Sequence, residues 1–111
     1  MEMISRIISK ITVIEIKGEI DHREEEKMAE YFKSASLLKG NKVILHLGGL
    51  PYINSAVLGI IVKFYNNLHG SKGKMVVCNL NPFILNMFRI THISEIIKIC
   101  PTEKEALEEL A

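Results

Sequence analysis

Segments of strand periodicity and of helical periodicity alternate along the whole chain, in the order ββαβαβαβα. A helix between two successive strands forms a crossover connection, which makes the strands parallel and places the helix on a face of the sheet. A chain of 111 residues leaves too little sequence to bury a second core. The sequence therefore predicts one layered α/β domain over residues 1–111, with a mixed, mostly parallel sheet and about four helices.

The bounds of the predicted elements follow from where each periodicity starts and stops. The predicted strands are residues 3–8, 11–20, 43–47, 74–80 and 96–100. The predicted helices are residues 23–38, 55–68 and 82–89, followed by a terminal helix after Pro101. The first two strands should pair as a hairpin, although no Asn-Gly or Gly-Gly marks the turn. Gly48, Gly49 and Pro51 should end the third strand in a loop.

Capping signals support the predicted helices. Asp21 and Glu24 have the spacing of a capping box at the start of the first helix, and Gly40 suits a left-handed stop at its end. Thr102 and Glu105 have the same capping-box spacing before the terminal helix. Signals at both ends make the first helix the best-defined element of the sequence.

The sequence lacks the motifs of the common enzyme sites. It contains no glycine-rich phosphate loop, no GxSxG elbow and no HExxH spacing. Asp21, His22 and Ser55 could formally supply a hydrolase triad, but adjacent residues point in different directions. The other histidines are dispersed, and His46 lies in an apolar strand, where a hydrogen-bonded histidine is the ordinary case. We therefore predict no catalytic site, no metal and no cofactor.

Charge and hydropathy narrow the classes of partner. A formal net charge of +1 provides no broad positive field, so neither nucleic acid nor an anionic membrane is an expected partner. No apolar run reaches the roughly 20 residues of a membrane helix, and Glu2 and Arg6 interrupt any signal-peptide centre. A cytoplasmic protein is expected. Cys78 and Cys100 lie far apart in sequence within apolar strands and are predicted to be buried free thiols.

The segment LPYINSAVLG, residues 50–59, precedes and opens the second helix at the carboxyl edge of the predicted sheet, where α/β proteins tend to place their functional groups. Asn54 and Ser55 are both good N-cap residues, and capping alone would explain them. A hydroxyl at a helix N-terminus also faces free N–H groups and the positive end of the helix dipole. A phosphate on Ser55 would therefore be tolerated electrostatically.

Three segments give the chain a resemblance to the STAS domains of anti-sigma factor antagonists, and the shared element order extends it over nearly the full length. The segments are GEIDH at residues 18–22, residues 43–59 with INSAVLG, and GKMVVCNLNP at residues 73–82. The resemblance implies that Ser55 is phosphorylated by an anti-sigma factor with serine kinase activity. The unphosphorylated form would bind that partner and free the sigma factor, and a PP2C-type phosphatase would restore it. The protein itself would catalyse nothing.

The expected partner-binding face combines the start of the first helix with residues 51–59 and the exposed side of the second helix. Its predicted contact residues are Asp21, His22, Tyr52, Asn54, Ser55, Ala56, Val57 and Gly59. Asn54 and Val57 depart from the family, which usually has Asp and Gly at these positions. Helical spacing assigns Val57 to the buried face of the second helix, with Leu58 and Ile61, but as a departure from the family it is expected to add bulk at the surface that the partner approaches.

Other functions remain open from the sequence. A related STAS module could serve as a scaffold or docking subunit without a switch, with Ser55 acting only as a cap. A small-ligand or nucleotide sensor could use the same loop edge, and a hydrolase using Ser55 is the third alternative.

Overall fold

A computed structural model of the chain describes all 111 residues and contains five strands, four α-helices and one short 3₁₀ helix at Ile93–Glu95. The strands are β1 (Glu2–Ile8), β2 (Ile11–Lys17), β3 (Lys42–Gly49), β4 (Lys74–Cys78) and β5 (Lys98–Cys100). The helices are α1 (His22–Ser36), α2 (Ser55–Gly70), α3 (Pro82–Ile90) and α4 (Glu103–Leu110). The predicted α/β class and element order are confirmed.

The strands form one sheet in the order β1-β2-β3-β4-β5. Strands β2 to β5 are parallel, and β1 pairs antiparallel with β2. The predicted hairpin is therefore present. Its turn places Ser9 and Lys10 at positive φ, +50° and +68°, as a type I′ turn requires of both central residues. Pairing of two long strands supports this turn without glycine.

Each face of the sheet carries its own apolar core. Helices α1, α2 and α3 cover one face, where α1 and α2 meet through the stacked rings of Phe32 and Phe64, 4.3 Å apart. Helix α4 covers the other face and buries Ala106 and Leu110 against β3 and β4. The sheet is therefore buried between two layers of helices.

The parallel register aligns the strand ends at two edges of the sheet. The carboxyl edge is formed by the ends of β2, β3 and β4 with the loops at residues 18–21, 50–54 and 79–81. The amino edge is formed by the starts of these strands, where Ile11, Lys42 and Lys74 lie side by side. The three segments that carry the family resemblance all reach the carboxyl edge.

The predicted end of β3 is wrong, because the strand continues through both glycines to Gly49. Gly49 pairs with Lys17, and the Gly18 N–H donates to the Gly49 carbonyl at 2.9 Å. A Cβ on Gly49 would lie 2.6 Å from Lys17 Cγ, so this close approach requires glycine. The two glycines extend the ladder here rather than break it.

Several other element ends also differ from the prediction. Strand β2 ends at Lys17 rather than at residue 20, and the left-handed φ of Asn79, +60°, stops β4 at Cys78 rather than at residue 80. Helix α1 ends at Ser36, two residues early, and β5 begins at Lys98 after the unpredicted 3₁₀ helix. At the start of α4 only the Thr102 half of the predicted capping box forms.

Candidate partner-binding site

Ser55 is the first residue of α2, and its exposed hydroxyl makes no hydrogen bond within the protein. Asn54 is the N-cap, and its Oδ1 accepts from the Val57 backbone N–H at 2.8 Å. The N–H groups of Ser55 and Ala56 are left without an acceptor in the protein. Capping therefore belongs to Asn54 alone and does not explain the serine at position 55.

Asn54 also joins α2 to the first turn of α1. Its Nδ2 donates to Glu25 Oε2 at 3.2 Å, and Glu25 Oε1 lies 3.6 Å from Nδ1 of the exposed His22. The Glu25 side chain keeps only 14 % of its surface exposed. A carboxylate of α1 is therefore held beside the N-terminus of α2, close to Ser55.

Asp21 caps α1, as the sequence predicted. The Glu24 N–H donates to Asp21 Oδ1 at 2.8 Å, and the Asp21 N–H donates back to Glu24 Oε1 at 3.2 Å. A hydrogen bond from the Met1 ammonium, 2.7 Å away, and this second bond lower the pKa of Glu24. Asp21 itself remains exposed, so its second carboxylate oxygen is open to a partner.

Asn81 ties the loop after β4 to the loop after β3. Its Nδ2 donates to the carbonyls of Leu50 and Pro51 at 3.1 and 2.9 Å, while its Oδ1 caps α3 by accepting from the Ile84 N–H. This anchor fixes the loop that carries Tyr52.

Two aromatic side chains beside the Asn81 anchor are exposed to solvent. Tyr52 is 51 % exposed on the loop after β3, and Phe83 is 57 % exposed in the first turn of α3. An exposed aromatic on a fixed loop is the kind of group that protein interfaces favour. Phe83 escaped the sequence analysis because its helical position suits the core equally well.

Val57 lies on the buried face of α2, as its helical spacing predicted, and the expectation that it adds bulk at the partner surface is wrong. Its side chain is 1 % exposed and belongs to the core beneath α1 and α2. Helical periodicity turns position 57 inward, while Ala56 and Gly59 face solvent. The departure from the family at Val57 therefore changes the core and leaves the surface near Ser55 unaltered.

Together the remaining residues form one surface at the carboxyl edge, which we call the Ser55 rim. Its members are Asp21, His22, Glu25, Tyr52, Asn54, Ser55, Ala56, Gly59 and Phe83. Glu25 was missed by the sequence analysis, because only the fold shows that it reaches Asn54. The rim combines fixed carboxylates, exposed aromatics and a free hydroxyl.

The hydrolase arrangement is not assembled. Asp21 bonds to its own helix, His22 lies beside Glu25, and neither forms a hydrogen bond with Ser55. The predicted free thiols are confirmed, since Cys78 and Cys100 are buried and unbridged in neighbouring register positions. Burial raises the pKa of Cys78 to about 12, which leaves it a poor nucleophile. His46 is half-buried and accepts a hydrogen bond from the Gly48 N–H, as expected of a sheet-face histidine.

Two further features of the structure concern metals and membranes. No group of three or more His, Cys, Asp or Glu side chains is placed to hold a metal ion. None of the helices is both long enough and apolar enough to span a bilayer.

A five-stranded mixed sheet with helices on both faces places the chain in the class of small layered α/β domains. The sequence matches the STAS domain family over residues 2–106, and the chain belongs to this family. The anti-sigma F factor antagonist of Paenibacillus polymyxa is 26% identical over 101 residues, covering 90% of this chain and 86% of the relative.

Solved structures show the same fold. A STAS domain protein from Planctomyces limnophilus superposes with a TM-score of 0.87 at 22% identity, covering 96% of both chains. The Bacillus cell fate determinant SpoIIAA in its phosphorylated form superposes with a TM-score of 0.78 at 19% identity, covering 99% of this chain and 100% of the other. At these identities the likeness establishes the fold alone.

Proposed function

We propose that this chain is an anti-sigma factor antagonist in a partner-switching pathway. Unphosphorylated, it binds an anti-sigma factor with serine kinase activity through the Ser55 rim and so frees a sigma factor. The kinase phosphorylates Ser55 to end the interaction, and a PP2C-type phosphatase restores it. The chain supplies the acceptor hydroxyl and performs no catalysis.

One observation carries the proposal: Ser55 is the exposed first residue of α2, and its hydroxyl makes no hydrogen bond within the protein. A serine that merely capped the helix would accept a bond from a backbone N–H two or three residues on, and Asn54 does this instead. The names of relatives agree, since the Paenibacillus protein is called an anti-sigma F factor antagonist and SpoIIAA has a phosphorylated form.

The rim can tolerate a phosphate in the free protein. The unpaired N–H groups of Ser55 and Ala56 lie at the positive end of the helix dipole, which stabilises an anion. Because these donors already exist, phosphorylation of Ser55 requires no unfolding of α2.

A phosphate would nevertheless oppose binding. It adds about 1.5 to 2 negative charges near pH 7, close to the Glu25 carboxylate that is bonded to Asn54. A partner that covers the rim must desolvate this charge. A penalty of about 3 kcal/mol would weaken the complex roughly a hundredfold, since each 1.4 kcal/mol is a factor of ten.

A docking module without a switch is the second candidate, and Glu25 is the observation that favours it. Its carboxylate lies next to Asn54, where it would repel the nucleotide phosphates of an approaching kinase and so hinder phosphorylation of Ser55. No comparable observation favours a nucleotide sensor. The four main surface depressions, of about 210 to 520 Å³, are lined by other residues than those of the Ser55 rim.

The test is to incubate the protein with ATP and each anti-sigma factor kinase encoded by the same genome, and to map phosphate by mass spectrometry. We expect one phosphate, on Ser55, with at least one kinase. Ser55→Ala should abolish it, while Ser34→Ala, which removes an exposed serine of α1, should leave it unchanged. A kinase that binds the protein stably yet leaves Ser55 unmodified would reject the switch and select the docking module.

A further inference from the structure

Positive charge is concentrated at the amino edge of the sheet. The residues that end or precede the strands here, 8–10, 37–42 and 71–74, contain five lysines and no acidic residue. These lysines are Lys10, Lys39, Lys42, Lys72 and Lys74. Glu109 of α4 lines a shallow depression together with Lys74 at this edge, so the excess of positive charge is greatest around Lys10, Lys39 and Lys72.

The three segments lie side by side, because Ile11, which directly follows residues 8–10, is paired with Lys42 of the second segment. The Gly40 N–H donates to the Ser71 carbonyl at 2.8 Å, and the Lys74 N–H donates to the Asn41 carbonyl at 3.1 Å. Lys42 is occupied by the Leu110 carbonyl, 2.9 Å from its Nζ. The other four lysines are exposed, and none takes part in an ion pair of the structure.

Two leucines project from the middle of this basic edge. Helix α1 ends at Ser36, and Leu37 and Leu38 beyond it are 78 % and 65 % exposed. They lie directly before Lys39 and pack into neither core. A pair of protruding leucines next to unpaired lysines has the composition of a peripheral membrane contact, in which apolar side chains enter the lipid boundary and lysines face anionic headgroups.

We propose that the amino edge docks onto an anionic lipid bilayer. Leu37 and Leu38 line none of the four main surface depressions, whereas an inserted peptide would need a groove around them. Its segments also hold no aromatic side chain on which a nucleic-acid base could stack. The low net charge of the chain predicted no membrane partner. Net charge is a sum over the whole surface, however, and it does not reveal a basic edge that acidic residues elsewhere offset.

Docking there leaves the Ser55 rim free. Helix α2 runs from Ser55 at the carboxyl edge to Gly70 at the amino edge, and its 16 residues span roughly 24 Å. The protein could therefore hold lipid at one edge and a protein partner at the other. The lipid contact does not depend on the proposed function of Ser55.

The test is flotation with phosphatidylcholine vesicles, with or without about a third phosphatidylglycerol. We expect binding to the anionic vesicles only, weakened by added salt because the charges are screened. Lys39→Gln with Lys72→Gln should weaken binding about thirtyfold, if each lysine contributes the usual amount at an anionic surface. Lys27→Gln with Lys63→Gln makes the same change in net charge elsewhere and should change binding less than about threefold, since neither lysine faces the bilayer.

A third variant separates lipid from acidic protein as the occupant. Leu37→Ser with Leu38→Ser should reduce vesicle binding at least fivefold without lowering the melting temperature, because both side chains are already in solvent. The proposal is overturned if anionic vesicles fail to bind, or if the control pair of lysines matters equally. It is also overturned if soluble poly-glutamate binds as tightly as the vesicles do and binds the Leu37→Ser, Leu38→Ser variant as tightly as the wild type.

Discussion

Asn54 bridges two helices by accepting from the Val57 N–H at 2.8 Å and donating to Glu25 Oε2 at 3.2 Å. The first bond needs an oxygen, and the second needs an N–H donor. Only an amide side chain of this length supplies both. Asparagine at position 54 is therefore matched to glutamate at position 25.

Asn54→Asp should destabilise the protein by about 1 kcal/mol. The substitution keeps the cap but turns a hydrogen bond into contact between two carboxylates. Thermal unfolding at neutral pH measures the loss. Glu25→Gln should restore most of it in the double variant, because a glutamine amide can donate to the carboxylate introduced at position 54. Additive losses would show that positions 25 and 54 do not interact.

Val57→Ala should lower the free energy of unfolding by about 2 kcal/mol, since it removes buried methyl groups from the core. Chemical denaturation measures this loss. Affinity for the anti-sigma factor should stay the same when both proteins are folded.

Gly59→Ala is the contrasting variant to Val57→Ala. A Cβ there meets nothing within 4 Å, so alanine should stabilise α2 by about 1 kcal/mol. Its methyl group lies on the predicted partner face and should weaken binding. Calorimetric titration measures the affinity of each variant for the anti-sigma factor, and melting curves measure its stability. If Val57→Ala lost affinity while Gly59→Ala did not, the assignment of Val57 to the core would be contradicted.

The sequence predicted the elements well where a local signal defined them. The capping box at Asp21 and the alternation in β2 depend on neighbouring residues and were confirmed. The end of β3 was mispredicted because Gly48 and Gly49 resemble a loop locally, whereas their role depends on Lys17, a residue of another strand. A contact between residues so far apart in sequence produces no local pattern from which it could be predicted.

The residues of the candidate site also fall into those that a local signal predicts and those that only a tertiary contact reveals. Ser55 and Asp21 could be placed because helix starts are visible in sequence. Glu25 could not, since its contact with Asn54 exists only once α1 packs beside α2. Helical spacing with Leu58 and Ile61 placed Val57 correctly on the buried face, whereas the surface role that the family comparison suggested was wrong.

Glu103→Gln should reduce stability at neutral pH by about 0.5 kcal/mol. The Arg6 guanidinium donates to both Glu103 oxygens, at 2.6 and 3.2 Å, and these hydrogen bonds lower the pKa of Glu103 below its ordinary value of 4.5. Both groups are partly exposed, so solvent screening keeps the effect small. The pair links β1 to α4.

The pH dependence gives this prediction its sign. A carboxyl group with a lowered folded pKa stabilises the protein above the unfolded pKa and loses that effect as pH falls through the folded pKa. Melting temperatures of the wild type and Glu103→Gln should therefore differ at about pH 7 and converge as the pH falls below 4.5. Glu108→Gln, on an exposed and unpaired residue of the same helix, should show no such convergence.

Asp21→Asn should separate capping from partner contact. Asparagine caps a helix about as well as aspartate, so the melting temperature should change little. Loss of the exposed charge should reduce affinity for the anti-sigma factor if Asp21 contacts it. Asp21→Ala should cost about 1 kcal/mol of stability in addition. Unchanged affinity in Asp21→Asn would limit this residue to its capping role.

Charge at position 55 is proposed to control association with the anti-sigma factor. The direct measurement is the dissociation constant of that complex for the wild type, Ser55→Ala and Ser55→Asp, with all three shown to melt at similar temperatures. We predict that Ser55→Ala binds like the wild type and that Ser55→Asp binds at least tenfold more weakly. Equal affinities for all three proteins would contradict the account.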